Sequence, residues 1–161
     1  MNTFKCRLYP NIGEFVADFR FIMSNRPLVR KTMRGELISQ AFRERLMMVV
    51  TQVNGCRYCS YFHAQEALKA GISEGELKSL LAGAIPDDCP PEEYPALLYA
   101  QHWAESNAQP DPEVLQRLVE TYGQEKSDAI HIVLRMIRVG NLMGNLGDYL
   151  LYRISFGRWG Y

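Results

Sequence analysis

No stretch of this chain alternates apolar and polar residues for the roughly four to eight positions that a half-buried strand needs. Apolar residues return every three or four positions instead, and glycine, proline and asparagine cut that pattern into lengths. Ile12 to Ser24 carries apolar side chains at 12, 15, 16, 19, 22 and 23, close to the 3.6-residue period of a helix. Pro27 follows its end, and Arg26, Arg30, Lys31 and Arg34 read as a solvated basic loop. A second helix spans Gly35 to Val53, with Leu37, Ile38, Ala41, Phe42, Met48, Val49 and Val53 on a broad apolar face. Asn54-Gly55 is its stop signal. A third runs from about Cys56 to Ala70, closed by Gly71. Ser73 and Glu76 form a capping box for a short helix to about Ala82. Residues 85–91 are a loop dense in proline and aspartate. Helices follow over Glu92 to about Ser106 and from Asp111-Pro112-Glu113, with aspartate as N-cap and proline at the first position, to Gly123. The last is long, from about Ser127 to Arg153, and the tail from Ser155, with Trp159, reads as extended. The expectation is an all-α fold of six to seven helices in a single domain, 1–161.

Charge and cysteine usage exclude several functions. Lys plus Arg equals Asp plus Glu, 18 each, so nothing points to nucleic acid or to an anionic membrane surface. No apolar run approaches a membrane span, and Phe4-Lys5-Cys6-Arg7 interrupts any leader-like segment. Four cysteines in 161 residues do not make a secreted disulfide framework. The expected compartment is the cytoplasm, where a CxxC pair is redox-active or metal-binding.

The chemistry-bearing stretch is Asn54-Gly55-Cys56-Arg57-Tyr58-Cys59-Ser60-Tyr61-Phe62-His63. Positions three and four apart share a helix face, so Cys56, Cys59 and His63 line up if a helix begins near Cys56. A thiol at a helix N-terminus is favoured as thiolate by the helix dipole. Cα atoms three apart on a helix lie about 5 Å apart, inside the roughly 4.4–6.8 Å window for a disulfide. Glu44 sits beside the apolar stripe of the preceding helix, where a carboxylate needs a partner. If the two helices are antiparallel about Asn54-Gly55, Glu44 stands about 13 Å back along one and His63 about 12 Å along the other. They are level, and facing helices would bring them together as a proton relay to Cys59.

Glu44, Cys56-x-x-Cys59 and His63, with Asn54-Gly55-Cys56-x-Tyr58-Cys59 at its centre, resemble the alkylhydroperoxidase D-like branch of the carboxymuconolactone decarboxylase family. The resemblance rests on residues 44–63. It implies an all-helical homo-oligomer, a trimer, hexamer or related ring. It implies a peroxidase in which Cys59 attacks a hydroperoxide and becomes a sulfenic acid, Cys56 resolves it to a disulfide, and His63 and Glu44 relay protons. A thiol reductant, a lipoylated protein or another peroxide-defence component, would restore the dithiol, and no bound cofactor is required. One departure is Tyr58, where the better-known peroxidase has a second histidine. A phenol, with a pKa near 10, is a poor base at neutral pH, so Tyr58 is a supporting residue that packs or donates a hydrogen bond.

Other readings compete. Cys56, Cys59, His63 and Glu44 could form a zinc set, but three of them share one helix, unlike usual zinc ligands. The same fold could run a decarboxylase-type reaction on a small acid with His63 and Glu44, or serve as a non-catalytic redox-sensing module. His102 and His131 read as structural, and Cys6 and Cys89 as spectators.

Overall fold

The computed structural model describes residues 4–160. It contains eight helices among them: α1 (Ile12–Ser24), α2 (Arg26–Met33), α3 (Gln40–Asn54), α4 (Arg57–Lys69), α5 (Glu74–Leu81), α6 (Tyr94–Glu105), α7 (Pro112–Tyr122) and α8 (Gln124–Ile154). The all-α expectation holds, with one helix more than expected.

The additional helix is α2, in the stretch read as a loop. Pro27 lies in its first turn, where a missing N–H costs nothing, so it starts a helix rather than merely following one. Gly35 ends it. With φ at +79°, its N–H bonds the Thr32 carbonyl, and the Glu36 N–H reaches back to Lys31, a left-handed glycine cap. α3 therefore begins later, at Gln40, where the Ser39 hydroxyl accepts the Phe42 N–H at 3.1 Å.

α3 is the centre of the molecule, and α4, α5, α6 and α8 pack around it. Every residue from Phe42 to Thr51 is buried, so this stretch of the helix has no solvent face, and its polar residues mark the joints to its neighbours. Arg45 pairs with Glu76 of α5 and with Glu93, the latter at 3.0 Å. The capping box is thus half formed. Ser73 Oγ accepts the Glu76 N–H at 3.1 Å, but the Glu76 carboxylate turns to Arg45. Thr51 and Asn54 face α8, meeting Asn141 and Asn145.

α8 spans 31 residues, about 46 Å at 1.5 Å per residue. It holds α1 through charge. Asp18 of α1 pairs with Arg135 and Arg138 and accepts from Tyr9, while Glu14 pairs with Arg138. The periodicity of α1 locates the helix, but its apolar stripe faces outward. Asp18 is its buried residue, and Ile12, Val16 and Phe19 are exposed.

The C-terminal tail is turned rather than extended. The Gly157 N–H bonds the Tyr152 carbonyl at 2.8 Å, and Trp159 N–H bonds Ser155 Oγ at 2.9 Å. Among the described residues no helix is long and apolar enough to cross a membrane.

Candidate active site

The α3–α4 reversal turns on Gly55, whose φ of +74° lies where only glycine sits without strain. Cys56 follows as the N-cap of α4, and its sulfur accepts the Cys59 N–H at 3.3 Å. Both cysteines are free thiols, Cys56 buried and Cys59 half-buried.

The two thiols are electrostatically unequal. Cys59 is lowered from the ordinary 9.0 to about 6, first by a hydrogen bond from Cys56, then by one from Asn141 and by the positive charge of His63, against the opposing effect of burial. Cys56 is raised, first because it donates that hydrogen bond and then because it is buried. Backbone N–H groups of the α4 N-terminus pull Cys56 the other way. The helix N-terminus and the Cys59 N–H favour charge on Cys56, whereas Cys56, Asn141 and His63 favour it on Cys59.

Glu44 and His63 meet across the α3–α4 pair. His63 Nδ1 stands 2.7 Å from Glu44 Oε2, which leaves Nε2 as the nitrogen available for proton exchange. Arg43 supplies a cation behind the carboxylate, its Nε 3.6 Å from Glu44 Oε1, and is anchored by Nη1 donating to the Met33 carbonyl at 3.1 Å. Arg45 pairs with Glu76 and Glu93, and Arg57 pairs with Asp148. Phe62 covers the imidazole edge-on, ring centres 5.1 Å apart.

Tyr58 turns outward. Its phenol takes a 3.1 Å hydrogen bond from Arg57, which also pairs with Asp148 of α8 at 2.9 Å. Its tie to the sulfurs is the backbone N–H, which bonds Cys56. Tyr58, Tyr61 and Phe62 are more than half exposed, so the helix that carries the half-buried Cys59 also presents aromatic side chains to solvent.

Two residues of α8 complete the site and carry no local signature. A methyl group at Gly144 would stand 3.1 Å from the Cys56 sulfur and 3.9 Å from that of Cys59, so glycine is what lets α8 close on both. The Gly140–Gly144–Gly147 spacing hints at close packing, but Gly140 and Gly147 face open space; only Gly144 meets the thiols. Asn141, fully buried, lies one turn earlier on the same face.

The remaining candidates stand apart from the dithiol chemistry. Cys6 packs against Gly55, its thiol pushed up by burial. Cys89 is buried near Glu76 and Arg45, and burial raises it too. His131 bonds the Tyr99 hydroxyl at 2.9 Å, and burial lowers it to about 4. His102 lies 3.4 Å from Asp111. A cavity of about 280 Å3 between α3 and α6 is lined by Val49, Gln52, Leu80 and Gln101 among others and does not reach the sulfurs. Among the described residues no group of three or more His, Cys, Asp or Glu side chains is arranged to hold a metal.

The uncharacterized protein YdfG of Bacillus subtilis (strain 168) is 30% identical over 123 residues, 73% of this chain and 83% of that protein. No solved structure gives a significant match. The model of the carboxymuconolactone decarboxylase family matches residues 27–105, a segment that contains Glu44, Cys56, Cys59 and His63 and stops short of Asn141 and Gly144. With its helical architecture and that matched segment, this chain belongs to the carboxymuconolactone decarboxylase family.

Proposed function

We propose that this chain is a thiol–disulfide oxidoreductase of the alkylhydroperoxidase D-like branch, acting as a single domain that reduces a hydroperoxide. The observation that carries this reading is geometric: two free thiols one turn apart at the N-terminus of α4, with His63 of the same helix paired to Glu44 at 2.7 Å. Their surroundings lower Cys59 and raise Cys56. A nucleophile needs the first property, a resolving thiol the second.

The Cys59 thiolate attacks the terminal oxygen of the hydroperoxide. The S–O bond forms as the O–O bond breaks, and the alkoxide leaves as alcohol with a proton delivered through His63. Cys56 sulfur then attacks the sulfenic acid, its proton leaving with the hydroxyl as water. The sum is one hydroperoxide and two thiols converted to alcohol, water and the Cys56–Cys59 disulfide. An external dithiol returns two electrons and two protons by exchange; a half-buried Cys59 on a helix with exposed aromatic side chains suits a protein-borne dithiol such as a lipoyl group. This cycle uses no bound cofactor and suits a reducing compartment, the cytoplasm. The outward apolar stripe of α1 supports a homo-oligomer, since an isolated chain would leave Ile12, Val16 and Phe19 in water.

The test is a thiol count on denatured protein before and after one equivalent of a small hydroperoxide, with mass spectrometry to locate the bond. Loss of two thiols mapped to Cys56–Cys59 is expected; an unchanged count with peroxide unconsumed overturns the reading. A second reading draws on the 2.7 Å Glu44–His63 pair, which can move protons without sulfur: acid–base turnover of a small carboxylic acid or lactone. Turnover that survives alkylation of both thiols would favour it.

A further inference from the structure

We infer that Asn141 is a catalytic residue, an amide donor on α8 that holds the Cys59 sulfur as the anion and makes the Cys56–Cys59 disulfide easier to reduce. This rests on the redox reading above and adds to it a residue outside the segment that the family model matches.

The amide is buried and held at both ends. Its Oδ1 accepts from Asn54 Nδ2 at 3.1 Å. One hydrogen of its Nδ2 goes to Thr51 Oγ1, also at 3.1 Å, and the amide stands one turn before Gly144, on the α8 face that meets both sulfurs, from where it lowers Cys59. The backbone behind it is fixed as well, because Asn145 Nδ2 bonds the Asn54 carbonyl at 2.8 Å and Gly144 brings α8 against both sulfurs. The donor is therefore pointed before the reaction begins, and it needs no rearrangement to meet charge on sulfur.

The other groups facing Cys59 act differently. Cys56 donates only while the pair is reduced, since its proton is gone once the disulfide forms. His63 brings a charge backed by Glu44 and Arg43 on α3, and it exchanges that proton during turnover. The Arg57–Asp148 pair ties α4 to α8 one turn beyond Gly144. Asn141 neither ionises nor exchanges its proton, so it is the constant donor of the set. In the disulfide, its N–H faces a neutral sulfur inside a buried site, a poorer acceptor than thiolate. The oxidised form loses stabilisation that the reduced form keeps, which raises the reduction potential. Reduction by glutathione is balanced as one disulfide plus two glutathione thiols giving the Cys56 thiol, the Cys59 thiolate, one proton and oxidised glutathione.

The experiment compares wild type with Asn141→Leu and Thr51→Val. The first removes the donor; the second removes the acceptor that aims it and leaves Asn141 in place. Two quantities are read: iodoacetamide alkylation of Cys59 against pH, and the equilibrium with glutathione at pH 8. In Asn141→Leu the alkylation midpoint is expected to move up by about one pH unit, roughly a tenfold loss of thiolate at acidic pH. The disulfide is then favoured nearly tenfold, about 30 mV more reducing, and Thr51→Val shifts both in the same direction by less. In wild type, the Asn141 side-chain amide resonances are expected to titrate with Cys59 and to stop doing so in Cys59→Ser, a readout that needs no Asn141 variant to fold. An unchanged midpoint and potential in a folded Asn141→Leu protein, or amide resonances indifferent to Cys59, overturns the inference. Neither readout uses peroxide. A wild type that consumes no hydroperoxide while Asn141 still sets the midpoint would sink the peroxidase reading and leave the role of Asn141 standing.

Discussion

Glu44 and His63 stand 19 residues apart in the chain and 2.7 Å apart in space, because α3 and α4 double back at Gly55 with equal arms. The carboxylate has the Arg43 guanidinium on one side and the imidazole on the other, so it is held while it orients the ring. In Glu44→Gln the shape stays and the charge goes. Peroxide-dependent kcat/KM should fall about 10- to 100-fold, less than or at the lower end of what a direct acid–base group contributes. Alkylation of Cys59 should change much less. A variant with normal peroxide turnover would remove Glu44 from the relay.

The reaction should follow the ionisation of Cys59. Peroxide consumption is expected to rise with pH through about 6 and to level above it, where an ordinary thiol would still be climbing towards 9. The same shift affects stability. The folded form binds its Cys59 proton more weakly than the unfolded chain, so this contribution is complete above about 9 and is lost as pH falls through about 6. Melting of the dithiol protein against pH, compared with Cys59→Ser, isolates it; a difference that grows towards low pH would have the wrong sign.

Cys59→Ser should abolish peroxide reduction. Cys56→Ser should still consume one equivalent of peroxide and stop at a sulfenic acid on Cys59, detectable by dimedone trapping and mass spectrometry. Equal activity of wild type and Cys59→Ser would end the proposed mechanism.

The three helical glycines of α8 should respond differently to alanine. Replacing an interior helical glycine usually stabilises by about 0.5–1 kcal/mol. Gly140→Ala and Gly147→Ala have open space for the methyl and should raise the melting temperature. Gly144→Ala forces the Cys56 sulfur, 3.1 Å away, to shift. That variant should lose most or all of the propensity gain and slow disulfide formation, measured as the rate of thiol loss after peroxide.

Arg45 should be among the costliest positions outside the site. Arg45→Met leaves the Glu76 and Glu93 carboxylates facing each other in the interior without a cation. Breaking a buried pair on one side costs about 3–5 kcal/mol, to be read from denaturant unfolding at neutral pH, with partial recovery in acid as the carboxylates take up protons.

The parts of this structure readable from sequence are those decided within a few turns of chain. Asn54-Gly55 fixes the reversal, 3.6-residue spacing finds the helices, and counting residues brings Glu44 level with His63. What could not be read depends on partners distant in sequence. Pro27 is compatible both with the end of one helix and with the first turn of the next, and the left-handed Gly35 decides it. The apolar stripe of α1 has the period of a core helix, but buried Asp18, claimed by Arg135 and Arg138, turns that stripe outward. Glu76 has the spacing of a capping box, and the Arg45 cation wins it. Asn141 and Gly144 belong to no motif; an amide and a missing methyl become meaningful only where α8 crosses the cysteine helix.

That crossing sets an order of events in the cell. Ribosomes deliver the N-terminal parts of a chain first, so Cys56, Cys59 and His63 emerge well before Asn141 and Gly144. Until the last long helix has been made and has docked on α3, Cys59 lacks its amide donor and the wall of α8. If Asn141 holds the Cys59 anion as inferred, the nascent chain carries a less acidic cysteine pair, and the pair gains its final acidity only with the completed fold.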